Sequence, residues 1–260
     1  MACEACKDGI APPFDFTMAF HPIVDIENRV IWGYEALVRG VNGEGAGQIL
    51  SQVTDENRYT FDQSCRIKAI ELAAGLFPVA ERPVLSINFM PNAVYEPAAC
   101  IQASLKAADR FGFPTDRLMF EFTENEEIID VDHLKKIITE YNRRNLLTAI
   151  DDFGAGYAGL GLLAEFQPDI IKLDMKLIRD IDCDTSRKAI VAGTLATARA
   201  LGIKVIAEGI ETLDEMMTLR EMGISLFQGY LFAFPKVEQL PEVNWPVATN
   251  NVVPIQSAIA

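Results

Sequence analysis

The residues of this chain with the most chemical reach stand at the ends of short apolar runs. Leu147-Thr148-Ala149-Ile150 leads into two adjacent carboxylates, Asp151 and Asp152, then Phe153-Gly154-Ala155-Gly156 and a stretch through 166 that reads as a helix. Acids at the end of a buried strand cost free energy unless a cation or a hydrogen-bond network compensates them. Two readings stand at this point: a metal site, or a helix start in which Asp152 caps and Asp151 faces water. Glu35, Asn88, Glu121, Lys172 and Glu208 close other apolar runs in the same manner.

Side chains alternate along a strand, so parity tells which residues share a face. Glu35 and Arg39 share one face with Gly33 and Leu37, opposite the bulkier Trp32, Tyr34, Ala36 and Val38, so they are expected to point into the interior. In the same sense Ser86 goes with Asn88, Met119 with Glu121, Lys172 with Asp174, and Ile206 with Glu208. Each polar residue alone has an ordinary explanation: a solvated edge acid, a turn former, a snorkelling lysine, a helix-start acid. Their recurrence at the same end of successive runs argues for one site. Glu35, Asn88, Glu121, Asp151, Asp152 and Glu208 offer oxygen donors only, a set that selects Mg2+ or Mn2+ over zinc. Their five carboxylates repel one another without cations, which points to two ions. Two ions about 3.5–4 Å apart suit in-line displacement at phosphorus. Lys172 is then placed to orient or activate an attacking water, and Arg39 to hold a non-bridging phosphate oxygen.

These residues need a scaffold that gathers strand ends on one rim. Runs at 14–22 and 30–38 are strand-like, and the segment between them is too short for a crossover helix, so they form an antiparallel hairpin. Strands at 84–88, 118–122, 147–151, 169–174 and 204–208 then alternate with helices at 56–76, 98–111, 131–145, 157–166, 185–201 and 212–222. A last apolar run covers 226–232. Such alternation implies parallel strands covered by helices. With no glycine-rich dinucleotide loop, the length favours an α/β fold of the (β/α)8 TIM-like kind with one antiparallel strand. Residues 1–13 read as a flexible N-terminal arm, 14–245 as the barrel and 246–260 as a C-terminal tail.

The 260 residues carry a net charge of −14, which argues against a surface for DNA or RNA duplexes. No run of 18 apolar residues and no signal-peptide pattern are present, so no membrane segment is expected and the protein reads as soluble and cytoplasmic. Five cysteines, an odd count, fit a reducing compartment. Cys3 and Cys6 form a lone C-x-x-C, and the chain has only two histidines, His21 and His133, to complete a zinc site. Cys65, Cys100 and Cys183 read as buried small hydrophobes.

Glu35-Ala36-Leu37-Val38-Arg39 resembles the signature of the EAL domain family, the phosphodiesterases of bacterial cyclic di-GMP signalling. The resemblance extends to Ser86-Ile87-Asn88, Glu121-Phe122-Thr123-Glu124, Asp151-Asp152-Phe153-Gly154-Ala155-Gly156, Lys172-Leu173-Asp174, Ala207-Glu208-Gly209-Ile210-Glu211-Thr212 and Gln228-Gly229-Tyr230-Leu231-Phe232. These follow the family's order and cover roughly residues 16–240. The resemblance implies a barrel with one antiparallel strand and hydrolysis of cyclic di-GMP to linear 5'-pGpG with two Mg2+ or Mn2+ ions. By position, Glu35, Asn88, Glu121, Asp151, Asp152 and Glu208 match its metal-binding residues, and Lys172 the lysine that contacts the attacking water. Glu124 matches an acid that braces the loop after Asp152, a loop that helps couple dimerisation to activity. Leu37, Arg39, Asp174, Glu211 and Gln228 match positions lining the substrate or metal pocket. A homodimer, and regulation by the arm, by dimerisation or by a separate partner, are further expectations. The alternative is a weak or inactive cyclic di-GMP receptor acting through protein–protein contact; such members lose ligand carboxylates or the lysine, and here all are present. Five departures stand out. His21 replaces a usual Gln, Ala155, Ala158 and Gly159 replace hydroxyl-bearing positions, and Phe234 precedes Pro235 where Lys is frequent.

Overall fold

The computed structural model describes residues 14–123, 130–156 and 159–246. The arm 1–13 with Cys3 and Cys6, the loop acid Glu124, Ala158 and the tail from 247 lie outside the described residues. Strands β1 (Thr17–Asp25) and β2 (Val30–Arg39) form the hairpin expected from the sequence. Helices α1 (Ala46–Leu50) and α2 (Arg58–Leu76) lead to β3 (Val84–Asn88), followed by α3 (Pro97–Phe111), β4 (Leu118–Thr123), α4 (Val131–Arg143) and β5 (Leu147–Phe153). Next come α5 (Gly159–Glu165), β6 (Ile170–Leu173), α6 (Met175–Ile178), α7 (Thr185–Leu201), β7 (Lys204–Ala207), α8 (Leu213–Glu221), β8 (Leu226–Phe227) and β9 (Lys236–Val237).

Strands β2 to β8 pair in chain order and in parallel, while β1 closes the ring antiparallel to both β2 and β8. The result is a closed eight-stranded barrel with helices around it and one extra strand, since β9 pairs with β1 at Ala19 and Phe20. The short α1 and α6 and the two-residue β9 had no periodicity long enough to be read from the sequence. Of the apolar run 226–232, only Leu226–Phe227 is strand.

Alternation sorts the strand residues into two cores. Outward-facing residues such as Phe20, Leu85, Phe120, Ile150 and Ile171 join the large apolar cluster beneath the helices. Inward-facing Ile23, Val84, Met119, Ala149, Ile170, Ile206 and Leu226 fill the lower barrel as a separate apolar floor. Trp32 packs against this floor, not against the helices as parity alone would have it. The cause is a register shift in the hairpin: Ile23 faces Gly33 while Val24 faces Ile31, so Trp32 is the extra residue of a bulge. Cys65 and Cys100 are buried, but Cys183 is exposed, against the expectation for it. No described helix is long and apolar enough to cross a membrane.

Candidate active site

One layer above the apolar floor, every inward position is polar. Two residues further along the parallel strands lie Glu35, Ser86, Glu121, Asp151, Lys172, Glu208 and Gln228. On the antiparallel β1 the same step runs backwards, from Ile23 to His21. The strands thus hold an apolar plug below and a charged ring above, at the end where parallel barrels carry their sites.

Lys172 stands at the centre of the ring and is fully buried. Its Nζ lies 2.7 Å from Glu208 Oε1, 3.0 Å from Asp151 Oδ1, 3.1 Å from Glu121 Oε2 and 3.5 Å from Glu35 Oε2. Burial works against its charge, but these four carboxylates outweigh burial and hold the ammonium well above its ordinary pKa. Burial pushes the Glu121 carboxyl well above the usual range, against the pull of Lys172. Glu208 is pushed up in the same way, with Asp151 adding to the effect. At Glu35 burial also raises the pKa, yet Lys172 and a hydrogen bond from Gln228 prevail and bring it to about 2.

The amides complete the ring. Asn88 Nδ2 donates to Glu35 Oε1 at 2.9 Å and to Glu121 Oε1 at 3.0 Å. Ser86 Oγ donates to the other oxygen of Glu121. Gln228 Nε2 donates to Glu35 Oε2 at 2.7 Å and lies 2.8 Å from His21 Nδ1. Behind Asn88, Asp62 on α2 accepts from the Met90 amide at 2.9 Å and pairs with Arg66 at 2.6 Å. Arg66 Nη1 donates in turn to Tyr141 Oη on α4 at 2.9 Å, and the guanidinium lies over the Phe89 and Phe120 rings. A buried charge pair therefore ties α2, α4 and the rim segment that follows Asn88. Two charged residues spaced i,i+4 within an otherwise apolar helix stripe were the signal for it.

Adjacent residues of a regular strand face opposite ways, so Asp151 and Asp152 should not share a site. The register of β5 against β6 shifts between Ile150 and Phe153, and Asp152 adopts a φ of 54°. Asp tolerates this left-handed conformation better than most residues, and a bulge re-aims a side chain. Carboxylate oxygens of Asp151, Asp152 and Glu208 consequently lie within 4.8 Å of one another, as do those of Glu35, Glu121 and Asp151. Asp151 belongs to both triads. An octahedral Mg2+ with oxygens at about 2.1 Å spans at most about 4.2 Å between ligands, so each triad fits such an ion once its side chains draw closer. Asn88 now turns its NH2 toward the acids, and serving as an oxygen ligand requires its amide to turn over.

The other expected residues divide. Gln228 is part of the ring, and Leu37 lines a cavity of about 710 Å³ that runs from Glu35, Asn88 and Asp151 toward Arg58 and Asp62. Arg39 donates through Nη1 to Val38 O at 2.7 Å. Asp174 caps α6, accepting from the Lys176 amide at 2.8 Å. Glu211 is exposed and pairs with Arg179 at 2.8 Å. His21 belongs to the ring through Gln228.

The EAL domain family model matches residues 13–235. The chain is 33% identical over 237 residues to the blue light- and temperature-regulated antirepressor BluF of Escherichia coli (strain K12), covering 91% of this chain and 58% of BluF. It is 26% identical over 234 residues to the probable cyclic di-GMP phosphodiesterase PdeD of the same strain, covering 85% of this chain and 42% of PdeD. The chain thus spans about half the length of these curated relatives. Its structure matches that of a standalone versatile EAL protein from Vibrio cholerae O395, in the c-di-GMP bound form, with a TM-score of 0.85. That pair is 51% identical, over 89% of this chain and 97% of the other.

Proposed function

The chain belongs to the EAL domain family, and we propose that it hydrolyses one phosphodiester of cyclic di-GMP to linear 5'-pGpG with two Mg2+ or Mn2+ ions. The observation that carries this reading is the pair of acid triads sharing Asp151, with Lys172 set among them. Glu35, Asn88, Glu121 and Asp151 hold one ion in this reading, and Asp151, Asp152 and Glu208 the other. When bound, the ions supply charge neutralisation at phosphorus and activation of water. Lys172, held as an ammonium, orients the attacking water and stabilises charge that develops on the phosphate. Arg39 and Leu37 hold the substrate beside the ring, with Asp174, Glu211 and Gln228 completing the pocket wall. Glu124 braces the loop after Asp152. Homodimerisation is carried over from the family, control by a separate partner stays one of the expectations of the sequence, and a cytoplasmic setting agrees with the free Cys65, Cys100 and Cys183.

A second reading, a receptor that binds cyclic di-GMP without cleaving it, draws on the similarity to the antirepressor BluF. Incubation with cyclic di-GMP and either metal, with nucleotides separated by chromatography, decides between the two. The enzyme reading expects pGpG, and expects Glu35→Ala to abolish it in a folded protein. Calorimetric binding without turnover in the wild type supports the receptor.

A further inference from the structure

We propose that His21 is a positioning residue of this site. Its neutral ring, protonated on Nε2, fixes which way round the Gln228 amide sits. That keeps the amide nitrogen on Glu35 and reserves the amide oxygen as an acceptor for a hydroxyl or N–H donor of the ligand. The proposal takes its ligand from the phosphodiesterase reading, while its geometry stands independently of it.

Three contacts form a chain with only one consistent polarity. His21 Nε2 lies 3.0 Å from Ala233 O, and a carbonyl only accepts, so Nε2 carries a proton. His21 Nδ1 lies 2.8 Å from Gln228 Nε2, and an amide NH2 only donates, so Nδ1 presents its lone pair. The same nitrogen donates its second hydrogen to Glu35 Oε2 at 2.7 Å. Turning the amide over would set its oxygen against both the Nδ1 lone pair and a carboxylate. The orientation is therefore locked from two sides.

What the lock leaves over is the Gln228 carbonyl oxygen. Gln228 is 2% exposed, and among the described residues this oxygen has no hydrogen-bond partner. Buried polar atoms are nearly always paired, and in this proposal the ligand supplies the partner that this oxygen lacks. An acceptor there takes a donor, such as a ribose hydroxyl or a guanine N–H, and turns away another acceptor. His21 is also the register partner of Glu35 across the hairpin, so its ring is fixed by backbone pairing as well as by Ala233.

The first test is the ring tautomer in the full chain, read by long-range 1H–15N correlations on uniformly labelled protein. His21→Gln separates its signals from those of His133. The expected spectrum at neutral pH shows Nε2 protonated and Nδ1 bare; a ring protonated on Nδ1, or on both nitrogens, overturns the proposal. The second test compares two substitutions. Glutamine can donate to Ala233 and accept from Gln228, whereas leucine fills the space without either function. His21→Leu is expected to lower kcat/KM about 10–100-fold, and His21→Gln to remain within about threefold of wild type, as for other partners that orient a ligand residue. Equal losses in both variants, with unfolding midpoints close to wild type, overturn the lock, as does wild-type activity in His21→Leu. Should the wild type cleave no cyclic di-GMP, the phosphodiesterase reading fails, and the tautomer still decides the lock.

Discussion

Lys172 is an ammonium with no exposed surface of its own, and this makes it dependent on its neighbours. Moving an ammonium into a protein interior costs several kcal/mol unless hydrogen bonds and ion pairs replace its hydration. The acids around it have the mirror problem. Among the described residues, Lys172 is the cation within ion-pair distance of Glu35, Glu121, Asp151 and Glu208 together. Lysine and metal therefore address the same negative charge. Replacing Lys172 with Met should destabilise the metal-free protein by about 3–5 kcal/mol, the range for a broken buried pair. Mn2+ or Mg2+ should then raise the unfolding temperature of the variant by more than it raises that of wild type, while turnover is lost. Differential scanning calorimetry with and without metal checks this. An equal rise in both proteins would mean that the lysine and the ions do not share their counter-charge.

At the scale of elements, a helix of four residues sets the loops of the site. Helix α6 follows directly on β6, which carries Lys172, and Asp174 caps it. It wedges between the loops that follow β5 and β7. A Cβ on Gly154 would lie 2.2 Å from Leu177 Cδ1, and one on Gly209 would lie 2.6 Å from Met175 Cβ. Both glycines also have positive φ, 92° and 64°, where a side chain is strained whatever the space. Gly209→Ala should therefore cost about 1–3 kcal/mol and shift Glu208, which immediately precedes it. Urea unfolding together with Mn2+ titration calorimetry reads both effects. Wild-type values in both would remove α6 from any part in holding the site. Strand ends were legible in the sequence because their alternation has a period of two and each ends on a polar residue. The bulge that brings Asp152 beside Asp151 was not, since a left-handed aspartate has no pattern of its own. Neither was α6, four residues long, nor the lock on Gln228, whose parts lie 207 and 193 residues away along the chain.

For the whole molecule, the decisive feature is how the barrel closes. Strand β1 pairs with β2 from Thr17 to Asp25 but with β8 only at Val24 and Asp25. Strand β9 covers the same edge at Ala19 and Phe20, and between these two patches the His21 ring reaches Ala233 and Gln228. The hairpin is local and costs little loop entropy to form, while the seam joins positions about 200 residues apart. Contacts of that separation form late. On topology alone, Glu35 is expected to be in place early and its partner Gln228 to arrive only when the ring shuts. Such a ring should also reopen at its clasp before it melts elsewhere. In native-state hydrogen exchange, the amides that pair β1 with β8 and β9 should exchange through an opening of lower free energy than those between β4 and β5. Equal protection at both places would mean that the barrel opens only as one piece. With unequal protection, the charged ring lasts only as long as β1 stays against β8 and β9, held by two pairs of residues on each and by one imidazole.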